Sequence, residues 1–332
     1  MAILHPPGSN LIIDPTFQIW QRYDGSTPFT TSAAYTSDRK RMFMTTSTLS
    51  IDRVAGENVN GYTDTEYGLE ATFTSGAVAA SNAYIQESVE DVRTLHGTRA
   101  TINILADIPV GNSIACSCVQ HTGSALLSYT NPANDILVGT GSPTLYTTTI
   151  DIPSIGTATI SDGSYLGFRI WFDAGTNFDD QTGGLGNQPD GIVKLYAWQI
   201  REGTRDSIIE IPRPRQNWDD CYRYYYRHSQ TVAGRHFCNC YAASGNQAFG
   251  IFDCPNKFRS PPEFAYPALS DFGLTLGNQS FTPPTIYTLI WNNVNKPAMY
   301  MQFGAGTFVP YVGWGGAFYS TTSTYIELSS EL

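Results

Sequence analysis

Helix signals are nearly absent from this chain, and short runs of β-branched and aromatic residues stand in their place. The clearest are Ala100 to Leu105, Ser113 to Val119, Tyr165 to Phe172 and Ile192 to Ile200, the last alternating apolar and polar as a half-buried strand should. Turn formers such as Pro109-Val110-Gly111-Asn112 and Ser161-Asp162-Gly163-Ser164 separate the runs. Many short strands at this spacing read as a sandwich or barrel, so the fold class is all-β.

At 332 residues the chain is long for one domain and comfortable for two. The best boundary is 203–218, where Ile211-Pro212-Arg213-Pro214-Arg215 interrupts the pattern. This gives an N-terminal domain over 10–202 and a smaller C-terminal domain over 219–332, with 1–9 as an attachment segment. Behind the boundary, Asp219 and Asp220 could open a single short helix with Tyr222 and Tyr226 on one face.

The charge balance excludes several functions. Nineteen Lys and Arg against 29 Asp and Glu leave a net charge of −10, and Arg39-Lys40-Arg41 is the only basic run. Phosphate neutralisation needs more than that, so nucleic acid is not expected as a partner, nor is an anionic bilayer. No uncharged apolar window approaches spanning length, and Met1 to Pro7 lacks the basic and apolar regions of a signal peptide. The expectation is a soluble protein made in a cytoplasm.

Catalytic constellations are equally sparse. There is no Gly-x-Ser-x-Gly, Walker loop or His-Glu-x-x-His. The acidic sets Glu87/Glu90/Asp91 and Asp179/Asp180 read as solvated or cation-binding groups before a glycosidase pair. His236-x-Cys238-x-Cys240, with Cys254 beyond, would place soft ligands on one strand face, but spaced too widely for a shared tetrahedral site. The six cysteines are expected to be free, buried thiols, and neither a metal nor a cofactor is expected.

Several segments resemble a known family. Asn10 to Arg22, ending in Phe17-Gln18-Ile19-Trp20-Gln21-Arg22, is similar to the opening of bacteriophage tail-fibre and virion proteins. Their Tyr-Thr-x-Asp-Arg element is Tyr35-Thr36-Ser37-Asp38-Arg39 here, followed by Lys40 where that family usually has Trp. Tyr84 to Gly97 resembles a family segment that precedes a core strand of a jelly roll similar to carbohydrate-binding modules, and Leu195 to Gly203 resembles that jelly roll's last strand. Cys221-Tyr222-Arg223-Tyr224-Tyr225, Phe258 to Pro262 and the closing Tyr325 to Leu332 match in order.

The resemblance implies an N-terminal jelly-roll β-sandwich followed by a smaller C-terminal β-sandwich. It further implies a non-catalytic virion structural protein, a tail-fibre or receptor-binding component that contacts host surface glycans. The alternative is a capsid decoration or head-fibre protein docked on the shell. Other virion proteins would be its partners, a homotrimer its assembly, and the particle its location after assembly in the host cytoplasm. A depolymerase would need internal repeats or an acidic cleft, and no repeat is evident.

Contact with a ligand or partner is expected from the polar, Gly-rich stretch Gly175 to Gly191, read as a long loop carrying Asn177, Asp179, Asp180, Gln181, Asn187 and Asp190. Its amides and carboxylates suit a sugar hydroxyl, a Ca²⁺ ion or a neighbouring virion protein. Tyr224, Tyr225 and Tyr226 cannot all face inward, so Tyr224 and Tyr225 are further candidates.

Overall fold

The computed structural model describes residues 9–22, 28–57, 66–130, 136–204, 209, 213–230, 232–244, 247–260, 262–276, 279–281, 285–291, 298–304, 315–320, 322 and 324–330. The chain divides into two compact units between Asn217 and Trp218.

The first unit is built from β1 (Lys40–Thr45), β2 (Thr48–Ala55), β3 (Tyr67–Thr74), β4 (Asn82–Glu90), β5 (Arg99–Asp107), β6 (Ser113–His121), β7 (Leu126–Thr130), β8 (Leu137–Val138), β9 (Pro143–Asp151), β10 (Tyr165–Ala174) and β11 (Gly191–Glu202). All four strands expected from sequence lie within β5, β6, β10 and β11. One sheet has the order β1-β4-β10-β6-β7, with β8 on β6, and the other β2-β3-β11-β5-β9. From β3 to β6, and again from β9 to β11, successive strands alternate between the two sheets, as in a jelly roll. Every strand pair is antiparallel, including β10 with β4 and β6, and β11 with β3 and β5.

Alternation within each strand assigns the faces. In β4, Ala83, Ile85 and Val89 enter the core; in β10, Leu166, Phe168, Ile170 and Phe172 do the same. They meet Leu69, Phe73, Ile104, Leu195 and Trp198 from the second sheet. Each such side chain contributes about 1.5–3 kcal/mol on leaving water, which fixes which face of each strand turns out.

The N-terminal segment is anchored by buried hydrogen bonds and an ion pair. Asn10 Oδ1 accepts from the amides of Ile12 and Ile200, both at 3.0 Å. Asp14, with φ +50°, accepts from Gln18 N, Ile19 N and Asn217 Nδ2 at 2.8–2.9 Å. Lys40 Nζ reaches inward to the carbonyls of Ile13 and Asp14 and pairs with Glu87 Oε2 at 2.9 Å. Trp20 Nε1 donates to Phe17 O at 2.6 Å, and its buried ring sits in irregular chain.

The second unit holds β12 (Tyr225–Gln230), β13 (His236–Ser244), β14 (Gln247–Asp253), β15 (Glu263–Ala265), β16 (Phe272–Leu276), β17 (Gln279–Phe281), β18 (Thr285–Trp291), β19 (Ala298–Gly304), β20 (Gly315–Ser320) and β21 (Thr324–Ser329). A three-stranded sheet, β12-β21-β15, faces a seven-stranded one, β17-β16-β20-β13-β14-β19-β18. Ile326 and Leu328 of the small sheet pack with Phe237, Phe272 and Phe318 of the large one, a second and smaller sandwich core.

Four local expectations are corrected. The helix near the boundary spans Pro214–Tyr222 and ends where it was expected to continue. Pro214 opens it because a first helical residue needs no N–H and proline presets its φ; Tyr226 falls in β12 instead. Gly175 to Gly191 is no plain loop: a 3₁₀ turn over Thr176–Phe178 leads into α1 (Asp179–Thr182), and Leu185 is buried among Ala115, Trp171 and Ala174. His236, Cys238 and Cys240 do not share a face, because a bulge between His236 and Cys238 leaves His236 exposed while both cysteines are buried. Lastly, Tyr224 and Tyr225 are each 2% exposed. The turn after the helix lets both rings enter the core, so neither offers a surface to a partner.

Candidate functional site

The outward positions of the first sheet carry a distinct set of side chains. The register aligns Phe43 with Tyr84 and Tyr84 with Trp171, forming an aromatic row across β1, β4 and β10. Next to it, Arg41, Gln86, Arg169 and Ser117 form a polar row across β1, β4, β10 and β6. An antiparallel pleat puts facing side chains about 4.5–5.5 Å apart, so each row is one continuous surface.

The aromatic row is closely packed. Phe43 and Tyr84 stack with centroids 5.0 Å apart at 21°, and Tyr84 lies 4.3 Å from Trp171 at 39°. Trp171 is fully buried beneath, its indole N–H donated to Ser117 Oγ at 2.8 Å, while Phe43 and Tyr84 keep part of their rings in solvent. Phe178, from the 3₁₀ turn, closes the other side of Trp171 at 5.5 Å.

Arg169 crosses from the polar row toward the aromatic one. Its guanidinium lies 4.7 Å from the Tyr84 ring centre and 5.7 Å from that of Trp171. Nε donates to Gln86 Oε1 at 2.8 Å and Nη1 to Gln181 Oε1 at 3.2 Å. Two amide acceptors and two ring faces fix its plane, and only 9% of the residue is exposed. The charge is felt locally: burial pushes the Cys118 thiol up, and Arg169 works against that rise.

Between Phe43, Tyr84, Phe178, Arg169 and Gln181 the surface sinks into a cleft of about 160 Å³, flanked by Asn82 and Thr45. Among the described residues that line it, Arg169 alone carries a charge. A drug-sized pocket needs about 300 Å³ or more, so this cleft suits one unit of a longer ligand laid on an open face. A flat apolar ring surface bordered by planar amides and a guanidinium can hold a group with one apolar face and hydroxyls round its rim. Sugar rings have that shape.

Of the residues expected from sequence, the structure brings only Gln181 to this cleft. Asn177, Asp179, Asp180, Asn187 and Asp190 are exposed. Asp190 Oδ1 accepts from Ser75 N at 3.1 Å, and Asp179 and Asp180 begin the short helix that carries Gln181. Phe43, Tyr84, Arg169, Trp171 and Phe178 were not anticipated as site residues. The signal was present in β10, where Tyr165, Gly167, Arg169 and Trp171 alternate with the uniformly apolar Leu166, Phe168, Ile170 and Phe172.

No family model matches the chain, and no curated protein matches it. Solved structures that it resembles include the family 11 carbohydrate-binding module from Clostridium thermocellum in complex with a β-1,3-1,4-mixed-linked tetrasaccharide, at 7% identity and TM-score 0.31, covering 53% of this chain and 97% of that one. Another is the CBM22-1 xylan-binding domain from Paenibacillus barcinonensis, at 12% identity and TM-score 0.32, covering 61% and 99%. A third is the N-terminal cellulose-binding domain of a Cellulomonas fimi β-1,4-glucanase, at 15% identity and TM-score 0.29, covering 47% and 90%. Superpositions this loose say nothing of what this chain binds.

Proposed function

We propose that the first unit is a non-catalytic glycan-binding module whose site is the cleft on the outer face of the first sheet. The observation that carries the reading is the Arg169 guanidinium, held by Gln86 and Gln181 beside the part-exposed rings of Tyr84 and Phe43. Rings supply the apolar contact and the guanidinium supplies fixed donors, so a sugar docks without ordering the site first. Binding to a glycan array, repeated with Tyr84→Ala and Arg169→Gln, tests it. The parent should bind a defined subset of saccharides, and each variant should bind those at least tenfold more weakly. Unchanged binding by both folded variants refutes the site.

The finer reading is that this module serves a bacteriophage particle as a tail-fibre or receptor-binding component, in contact with other virion proteins. It rests on the ordered motifs from Asn10 to Leu332. Antibody labelling of purified particles under the electron microscope tests it. Label at the tail tip supports receptor binding, label over the shell supports the decoration alternative, and unlabelled particles refute both.

A further inference from the structure

The face that carries the cleft has a second aromatic group at its other end. Tyr165 of β10 pairs in register with Glu90 of β4 and His121 of β6, six positions along from the pairs that Trp171 makes with Tyr84 and Ala115. The parity is unbroken between them, so Tyr165, His121, Tyr84 and Trp171 all point from the same side of the sheet. The Tyr165 and His121 rings stack at 4.9 Å and 7°, and both remain part-exposed. His121 Nδ1 accepts from Gly123 N at 3.1 Å, which leaves the ring proton on Nε2 as a donor. The pair therefore presents a ring face together with an imidazole N–H and a phenol hydroxyl.

What lies between the two groups is low. The next row after Gln86 and Arg169 holds Ser88, Gly167 and Val119, and a side chain at position 167 would come within 2.6 Å of the Val119 side chain. The chemistry thus runs from rings and a fixed guanidinium, over small residues, to a second ring pair. Six residues of strand measure about 20 Å, several sugar rings and far more than one.

Building on the glycan-binding reading, we propose that the Tyr165–His121 pair is a distal subsite of the same site, so that the face recognises a linear oligosaccharide lying along β10. A ligand that spans both contacts gains the second without a second loss of overall freedom, an advantage of about three- to tenfold in affinity for one added ring contact.

The test uses the full chain and a homologous series of whichever saccharide the array returns, from disaccharide to octasaccharide, measured by calorimetry. Affinity should be flat for the short members and rise three- to tenfold once the chain spans both contacts. His121→Ala and Tyr165→Leu should each abolish that rise while leaving disaccharide affinity unchanged; His121 lies at a strand end, so its variant keeps the test available should Tyr165→Leu fold poorly. Affinity independent of length, or a rise that survives in His121→Ala, overturns the distal subsite and leaves the cleft standing. Failure of every member to bind overturns the cleft reading and this one with it.

Discussion

Lys40 and Glu87 are 0% and 1% exposed, 2.9 Å apart, in the wall of the first sandwich. Glu87 also takes the Ile13 amide at 2.7 Å, and Lys40 takes the carbonyls of Ile13 and Asp14. The pair therefore ties the N-terminal segment to β1 and β4. Glu87→Gln removes the countercharge and keeps an oxygen for the Ile13 amide, leaving a buried ammonium with carbonyls around it. Breaking a buried pair from one side costs about 3–5 kcal/mol. The lower end is expected here, because the Asp14 carboxylate also feels Lys40. Lys40→Met strands Glu87 instead and should cost as much, whereas Lys40→Met with Glu87→Leu should lie within about 1–2 kcal/mol of the parent. Urea denaturation of the full chain, followed by tryptophan fluorescence, measures all four. Additive losses, with the double variant about 6 kcal/mol or more below the parent, would show that the two residues are not coupled.

Leu185→Ala should cost the first unit about 2–5 kcal/mol, because Leu185 fills the space under Trp171 and Ala174; a loss under about 0.5 kcal/mol in the same denaturation series would return Gly175 to Gly191 to the status of a free loop. All six cysteines are buried free thiols, and burial raises Cys118. Native protein should therefore label slowly with an alkylating agent and take six labels after denaturation without reductant, fewer showing a bridge. A homotrimer, expected from the family resemblance, should give about three times the 36.4 kDa chain mass in light scattering; a monomer at micromolar concentration refutes it.

Sequence periodicity carried the fold far because the core strands are two-faced. In β10 the apolar residues recur at every second place, and in β4 at every second place but Glu87, so burial of one face forbids any other register. It failed where the chain breaks period for local reasons. A bulge re-aimed His236, and a proline moved the start of the helix to 214. Gly175 to Gly191 looked like solvent-facing chain because Leu185 is its one large aliphatic side chain, and burying that residue needs Trp171, which lies earlier in β10.

The site was harder to read for a different reason. A polar loop announces itself by composition, whereas a sheet face is composed of residues from several strands that no local window contains. Phe43, Tyr84 and Trp171 are separated by 41 and 87 positions and meet only through the pairing of β1 and β10 with β4. The sequence does hold the trace: Arg169 stands between Phe168 and Ile170 in a strand whose alternate residues are all apolar. An arginine there must either face solvent or be met by partners on the outer face, since a core position would strand its charge. Its burial to 9%, with Gln86 and Gln181 as acceptors, shows that the chain built those partners in. A guanidinium held by two amides against aromatic rings is the feature that sets this sheet face apart from a merely solvated one.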